Sequence, residues 1–159
     1  MILGKNTDHY ATPRAFMRFL QVIYDFDFDP CPYKSTVDGL SLDWIGNIYC
    51  NPPYSSIFPW LQKGKDEIAA GRAKLVVYLL PVRTDTKYFH LFILRFAKAV
   101  YFLKGRLHFN DAKHPAPFPV MIVLIDKESI SNDDSPLFAS WCDVEKMHSN
   151  QTKLFKDDL

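Results

Sequence analysis

Cysteine is scarce in this chain. Cys31, Cys50 and Cys142 are odd in number, far apart and in no Cys-x-x-Cys pair, a pattern that excludes a disulfide framework or a regularly spaced zinc site. Long apolar runs are also missing. Nothing approaches the ~20 consecutive apolar residues of a membrane-spanning helix, and no basic leader followed by an apolar stretch opens the sequence. There is no internal repeat and no low-complexity block. These absences predict a soluble cytoplasmic protein with reduced thiols, no metal and no membrane partner. At 159 residues, one core burying roughly 70% of the unfolded surface is the economical arrangement.

A strong net charge is lacking too, at +1, but the total hides a segregation. Residues 83–114 carry seven Lys or Arg (Arg83, Lys87, Arg95, Lys98, Lys104, Arg106, Lys113) against two acids, whereas residues 126–159 carry eight acids against four Lys. A local basic patch, rather than the total, sets a phosphate footprint. The same cations would also suit a solvated face.

Apolar spacing yields the elements. Thr12-Pro13 reads as N-cap and first residue of a helix carrying Phe16, Phe19, Leu20 and Ile23 on one face. Phe26-Asp27-Phe28-Asp29 alternates like a short strand that Pro30 and Pro32 stop. A strand over roughly 47–50, a helix from about Phe58 with Gly71 past its end, and the continuous apolar run Leu75–Leu80 follow. Asp85 is a plausible N-cap for a helix bearing Tyr88, Phe89, Phe92 and Ile93. Strands over about 99–103 and 120–125 flank a basic loop, and Ser129–Pro136 reads as a loop into a short, weakly ordered tail. Strands alternating with helices predict a single-domain α/β fold with about five strands.

The densest chemistry lies at Asn51-Pro52-Pro53-Tyr54, directly after the 47–50 strand. Ligands in open α/β sheets bind outside the carboxyl ends of strands. An aromatic amine such as adenine N6 is a poor nucleophile because its lone pair is delocalised into the ring. Acceptors on its two N–H bonds return electron density to nitrogen, and the Asn51 side-chain oxygen and the Pro52 carbonyl can supply both. Neither proline has an N–H, and their fixed φ holds the carbonyls in one geometry. Tyr54 offers a ring on which a base could stack. The competing interpretation is structural: Pro-Pro ends a strand, Asn51 makes an Asx turn and Tyr54 is a half-buried aromatic.

Tyr10-Ala-Thr-Pro13, Asp29-Pro-Cys-Pro32, Asp38-Gly-Leu40, Asp43-Trp44, Tyr49-Cys-Asn-Pro-Pro-Tyr54, Leu80-Pro-Val-Arg-Thr-Asp-Thr86, Phe89-His90, Gly105-Arg106 and Ala116-Pro-Phe-Pro119 occur in collinear order. This set resembles the phage-type DNA N6-adenine methyltransferases over roughly residues 8–125. The resemblance implies a Rossmann-like methyltransferase sheet, S-adenosylmethionine (AdoMet) as methyl donor, adenine in DNA as substrate and, for a phage-encoded enzyme, the bacterial host cytoplasm. It makes Asn51, Pro52, Pro53 and Tyr54 the catalytic set around a flipped adenine. The donor side would comprise Tyr10, Thr12, Pro13, Asp29, Pro30, Cys31 and Asn51, with Asp29 facing the donor's amino group. Asp38 or Asp43 would take a ribose hydroxyl, the weak preference being Asp43. Arg83, Lys87, Lys104, Arg106 and Lys113 would contact DNA, mainly at phosphates.

Residues 1–128 then form the catalytic domain and 129–159 an acidic extension, without a separate target-recognition domain. Asp29-Pro-Cys-Pro-Tyr33 stands where a Gly-x-Gly turn is usual, and only about 17 residues separate the first strand from the next, too few for two more βα units. The expected enzyme is minimal and reads little sequence. The rivals are a methyltransferase acting on RNA or on a protein amide, and a catalytically silent DNA-binding module.

Overall fold

The computed structural model describes residues 9–109, 113–132 and 137–143. Five strands form one mixed sheet: β1 (Gly46–Cys50), β2 (Ala73–Pro81), β3 (Ala99–Lys104), β4 (Val120–Asp126) and β5 (Phe138–Asp143), in the order β1-β2-β4-β3-β5. β1 runs parallel to β2, β5 runs parallel to β3, and β4 opposes both β2 and β3. Four strands therefore share one direction, and their carboxyl ends lie along one edge. The apolar runs explain the centre of the sheet, since Val76–Pro81 of β2 and Val120–Ile125 of β4 are buried at every position.

Helices α1 (Arg14–Tyr24), α2 (Ile57–Ala69), α3 (Leu94–Phe96) and α4 (Lys127–Ser131) accompany the sheet. α1 starts one residue later than the spacing predicts. Pro13 occupies the cap position and its carbonyl takes the Met17 N–H at 2.9 Å, because the Thr12 hydroxyl is engaged with the Tyr49 hydroxyl at 2.8 Å. α2 begins at Ile57, with Pro59 in its first turn and Gly71 past its end at φ +76°. Before α3 the chain widens into a π-turn (Phe89–Ile93) that buries Phe89, Phe92 and Ile93 and leaves Leu91 exposed. No described helix is long and apolar enough to cross a membrane.

Three sequence expectations are corrected. The Phe26–Asp29 segment is not a strand of the sheet but a single parallel bridge, Phe28 to Ile48. Pro30 has no N–H to continue the ladder, and the Asp27 carboxylate itself takes the Asn47 N–H at 2.8 Å. The fifth strand comes instead from the supposed tail, where β5 pairs along β3 from Phe138 to Asp143. The predicted loop at 129 is in part helix α4, entered through a reciprocal cap between Asp126 and Ser129. Residues 144–159 and 133–136 lie outside the described residues.

The linker into β1 is fastened by one buried acid. Glu67 of α2 is 1% exposed, takes the Trp44 N–H at 3.2 Å and the Arg72 guanidinium through both carboxylate oxygens, and pairs with Lys63. Arg72 first, then Lys63 and the Trp44 N–H, hold its carboxyl at about 2 against an ordinary 4.5. A lowered value stabilises the fold above the ordinary carboxylate range, and the contribution is lost as pH falls from 4.5 towards 2. Glu67→Gln is expected to lower stability at neutral pH by about 1–3 kcal/mol. By scanning calorimetry, the gap from wild type should close on acidification through that window; a gap independent of pH would contradict this role.

Candidate active site

Parallel alignment builds the site. Tyr49 N–H donates to Phe28 O at 3.1 Å and Asp27 N–H donates to Asn47 O at 2.8 Å, so the 27–29 segment runs beside β1 and both leave the sheet at the same edge. Asp29 and Asn51, 22 positions apart in sequence, thereby line one cleft of about 300 Å³ together with His9, Tyr10, Thr12, Cys31 and Tyr33.

Asn51 is 3% exposed. Its Nδ2 donates to the Tyr10 carbonyl at 2.7 Å and to Thr12 Oγ1 at 3.2 Å. A carbonyl can only accept, so the first bond fixes which end of the amide faces the 9–12 segment. Oδ1 then points the other way, buried and with no hydrogen-bond partner. A buried acceptor left unmade costs about 1–3 kcal/mol, a cost that a ligand N–H would offset. The turn's own hydrogen bond, from Ser56 N–H, uses the Pro53 carbonyl.

Tyr49 supports this arrangement; it stood in the Tyr49–Tyr54 run of the sequence without a role assigned to it. Its fully buried hydroxyl meets Thr12, which in turn meets Asn51. The signal was the strand period, since residues 49 and 51 share a face when side chains alternate.

In the same cleft, Asp29 accepts the Cys31 N–H at 2.8 Å. Burial is the larger effect, and raises its carboxyl from 3.8 to about 6. Burial, with the neighbouring Asp29, also pushes the Cys31 thiol up to about 12, so this cysteine is a poor nucleophile. His9 Nε2 lies 3.6 Å from Cys31 Sγ. Pro30 is buried above Gly39, where a Cβ would run into the Pro30 carbonyl. That close approach holds the 29–31 turn against the linker.

Tyr54 is 4% exposed rather than open as a platform. Its ring lies 5.5 Å from that of Tyr10 and 5.6 Å from Phe118, edge-on to the latter, and Tyr10 stacks on Phe109 at 4.9 Å. Phe118, from the Ala116-Pro-Phe-Pro119 run, and Phe109 thus belong to the site's aromatic wall. Burial pushes the Tyr54 hydroxyl well up, and that hydroxyl has no partner. Tyr54 also borders a second groove of about 570 Å³, shared with Arg83, Lys87 and Tyr88.

The remaining residues separate by strand end. Lys104, Arg106 and Lys113 are exposed on the same carboxyl side, with the Lys104 ammonium 5.4 Å from the Trp141 ring centre. Pro13 caps α1 next to the cleft. Asp43 is not brought to the site: it lies ahead of β1, at the amino edge, with its carboxylate 3.8 Å from Arg72. Asp38 caps the turn at Gly39–Ser41 through the Leu40 N–H. Among the described residues no three His, Cys, Asp or Glu side chains gather as a metal site.

Comparison with known proteins places the chain in a family. A DNA N-6-adenine-methyltransferase of Haemophilus phage HP1 (strain HP1c1) is 28% identical over 116 residues, a match covering 64% of this chain and 66% of that protein, just under two thirds of its length. The sequence profile of the DNA N-6-adenine-methyltransferase (Dam) family matches residues 2–135. With the profile spanning most of its length and its Asn-Pro-Pro-Tyr turn set at a strand's carboxyl end, the chain belongs to the DNA N-6-adenine-methyltransferase family.

Proposed function

We propose that this protein transfers a methyl group from AdoMet to N6 of adenine in DNA, on a Rossmann-like sheet and with little sequence discrimination. The observation that carries the reading is the oriented Asn51 amide, its nitrogen occupied by Tyr10 and Thr12 and its oxygen buried without a partner. Residues 1–128 serve as the catalytic unit, and the 129–159 extension contributes β5 to the sheet.

The residues of the Asp29 cleft fit AdoMet. A desolvated carboxylate whose one hydrogen bond comes from a backbone N–H is suited to an ammonium group, and about 300 Å³ is within the range of small-ligand sites. When bound, AdoMet supplies an electrophilic methyl group on a sulfonium. Asp29 would hold its amino group, with Tyr10, Thr12 and Cys31 lining the cleft.

The protein acts on the amine. Adenine leaves the stack at a cost of a few kcal/mol, offset by contact with the half-buried Tyr10 and Phe118 rings that pack on Tyr54. Asn51 Oδ1 and the Pro52 carbonyl accept from the two N6–H bonds, localising the lone pair and stabilising the positive charge that develops on nitrogen. Asn51 cannot take a proton, so the N6 proton passes to solvent. Arg83, Lys87, Lys104, Arg106 and Lys113 meet phosphates, which supply affinity without sequence information.

Nucleoside mass spectrometry of unmethylated DNA incubated with isotope-labelled AdoMet should reveal labelled N6-methyladenine. Asn51→Ala should lower turnover by at least about 10²–10³ while DNA binding persists; a variant that still turns over would remove Asn51 from its role. RNA and protein substrates run in parallel test the alternative acceptors.

Asp29 makes a pH prediction. Its carboxyl is ionised above about 6, so AdoMet binding should weaken as pH falls below that value, by up to tenfold per unit, and Asp29→Asn should flatten the profile in a calorimetric titration. Because the folded value is raised, the ligand-free protein loses stability as pH rises from 3.8 to about 6. Asp29→Asn should therefore stabilise the ligand-free fold at pH 7, by about 1–3 kcal/mol, while weakening donor affinity.

A further inference from the structure

The groove beside Tyr54 is larger than the target base requires and is built from different residues. Ser55, Ser56, Ile57, Phe58 and Pro59, the N-terminus of α2, form one wall, and Arg83, Lys87, Tyr88 and Leu91 form the other. α2 has 13 residues and its cap residue Ser56 makes no side-chain capping bond, so the helix start that lines the groove at Ile57 and Phe58 has first-turn N–H groups without a side-chain cap. Neither Arg83 nor Lys87 forms an ion pair with another described residue, both are exposed, and no acid lines the groove. Phe58 and Leu91, 46% and 56% exposed, provide apolar surface between the charges. A second, independent feature lies at the groove's inner end, where the Tyr54 hydroxyl is buried without a partner and within electrostatic reach of Arg83 and Tyr88.

We propose that this groove is a subsite for the nucleotide adjoining the target adenine, with its phosphate at the α2 N-terminus between Arg83 and Lys87 and its base against Phe58. The proposal rests on the DNA-adenine reading of the Asn51 site, and Tyr54 makes the two sites continuous. Its consequence is a substrate class. A neighbouring base reaches Phe58 only after leaving its own stack, so single-stranded or locally melted DNA is favoured over intact duplex.

The test uses fluorescence anisotropy with a single-stranded oligothymidylate carrying one adenine, and with the same strand bearing an abasic sugar 5′ or 3′ to that adenine. The abasic site on one side should weaken binding about tenfold, the scale of one base–aromatic stack. Phe58→Ala should bind the intact strand about tenfold more weakly and lose the discrimination. Arg83→Gln with Lys87→Gln should reduce the salt slope by about 0.7, as expected for one phosphate contact to a single strand. An abasic neighbour without effect on either side, or full discrimination in Phe58→Ala shown by circular dichroism to be folded, overturns the subsite.

Methyl transfer to the same strands separates the two ideas. N6-methyladenine formed without neighbour discrimination removes only the subsite, whereas discrimination in binding without methylation keeps the subsite and removes the reaction.

Discussion

Phe28, Ile48 and Val76 sit side by side on three parallel segments, and that register decides where each segment leaves the sheet. Because β1, β2 and the 27–29 segment point the same way, Asp29, Asn51 and Arg83 emerge at one edge. β3 shares the direction through the opposed β4, so the loop carrying Arg106 and Phe118 opens there too. A shift of one residue between Phe28 and Ile48 would turn every side chain of the shorter segment to the other face and take Asp29 out of the cleft. Two prolines guard the register: Pro30 and Pro52 follow the paired 28–48 and β1 positions and bring no N–H to extend the parallel pairing.

The site holds features that a fold optimised for stability would avoid. Asn51 Oδ1 and the Tyr54 hydroxyl are buried without partners, and the Asp29 carboxylate is desolvated with only one backbone N–H to compensate. All three lie at or between the two grooves, while the buried Glu67, distant from them, is fully paired. Unmet polar groups are tolerated where a ligand completes them. The Tyr10, Tyr54, Phe109 and Phe118 rings supply apolar packing around these groups, which keeps water away from the amide.

Much of this was legible in the chain. The runs at 75–80 and 120–125 are continuous because both faces of β2 and β4 are covered, and Asn51-Pro-Pro-Tyr54 marked the turn at the end of β1 because two prolines cannot continue a strand ladder. β5 was not legible: Phe138–Asp143 mixes polar and aromatic residues, and its strand conformation depends on the free edge of β3. The short Phe26–Asp29 alternation overstated its own pairing for the same reason, since a side chain and a proline consumed the hydrogen bonds that alternation alone promises. Asp43 resembled a nucleoside ligand by type and proximity in sequence, but three residues ahead of β1 places it at the amino edge.

Composition, spacing and side-chain chemistry by themselves determined the α/β class, the position of the Asn51–Tyr54 turn and the stretch of cations, because each depends on residues near one another in the chain. Only the tertiary structure decided that Tyr10 and Thr12 hold the Asn51 nitrogen, that Asp29 shares its cleft, that Phe109 and Phe118 wall the aromatic pocket and that α2 faces Arg83 across a groove. Those relations join segments up to about a hundred residues apart, and local propensity carries no information about which strand edge a distant segment will occupy.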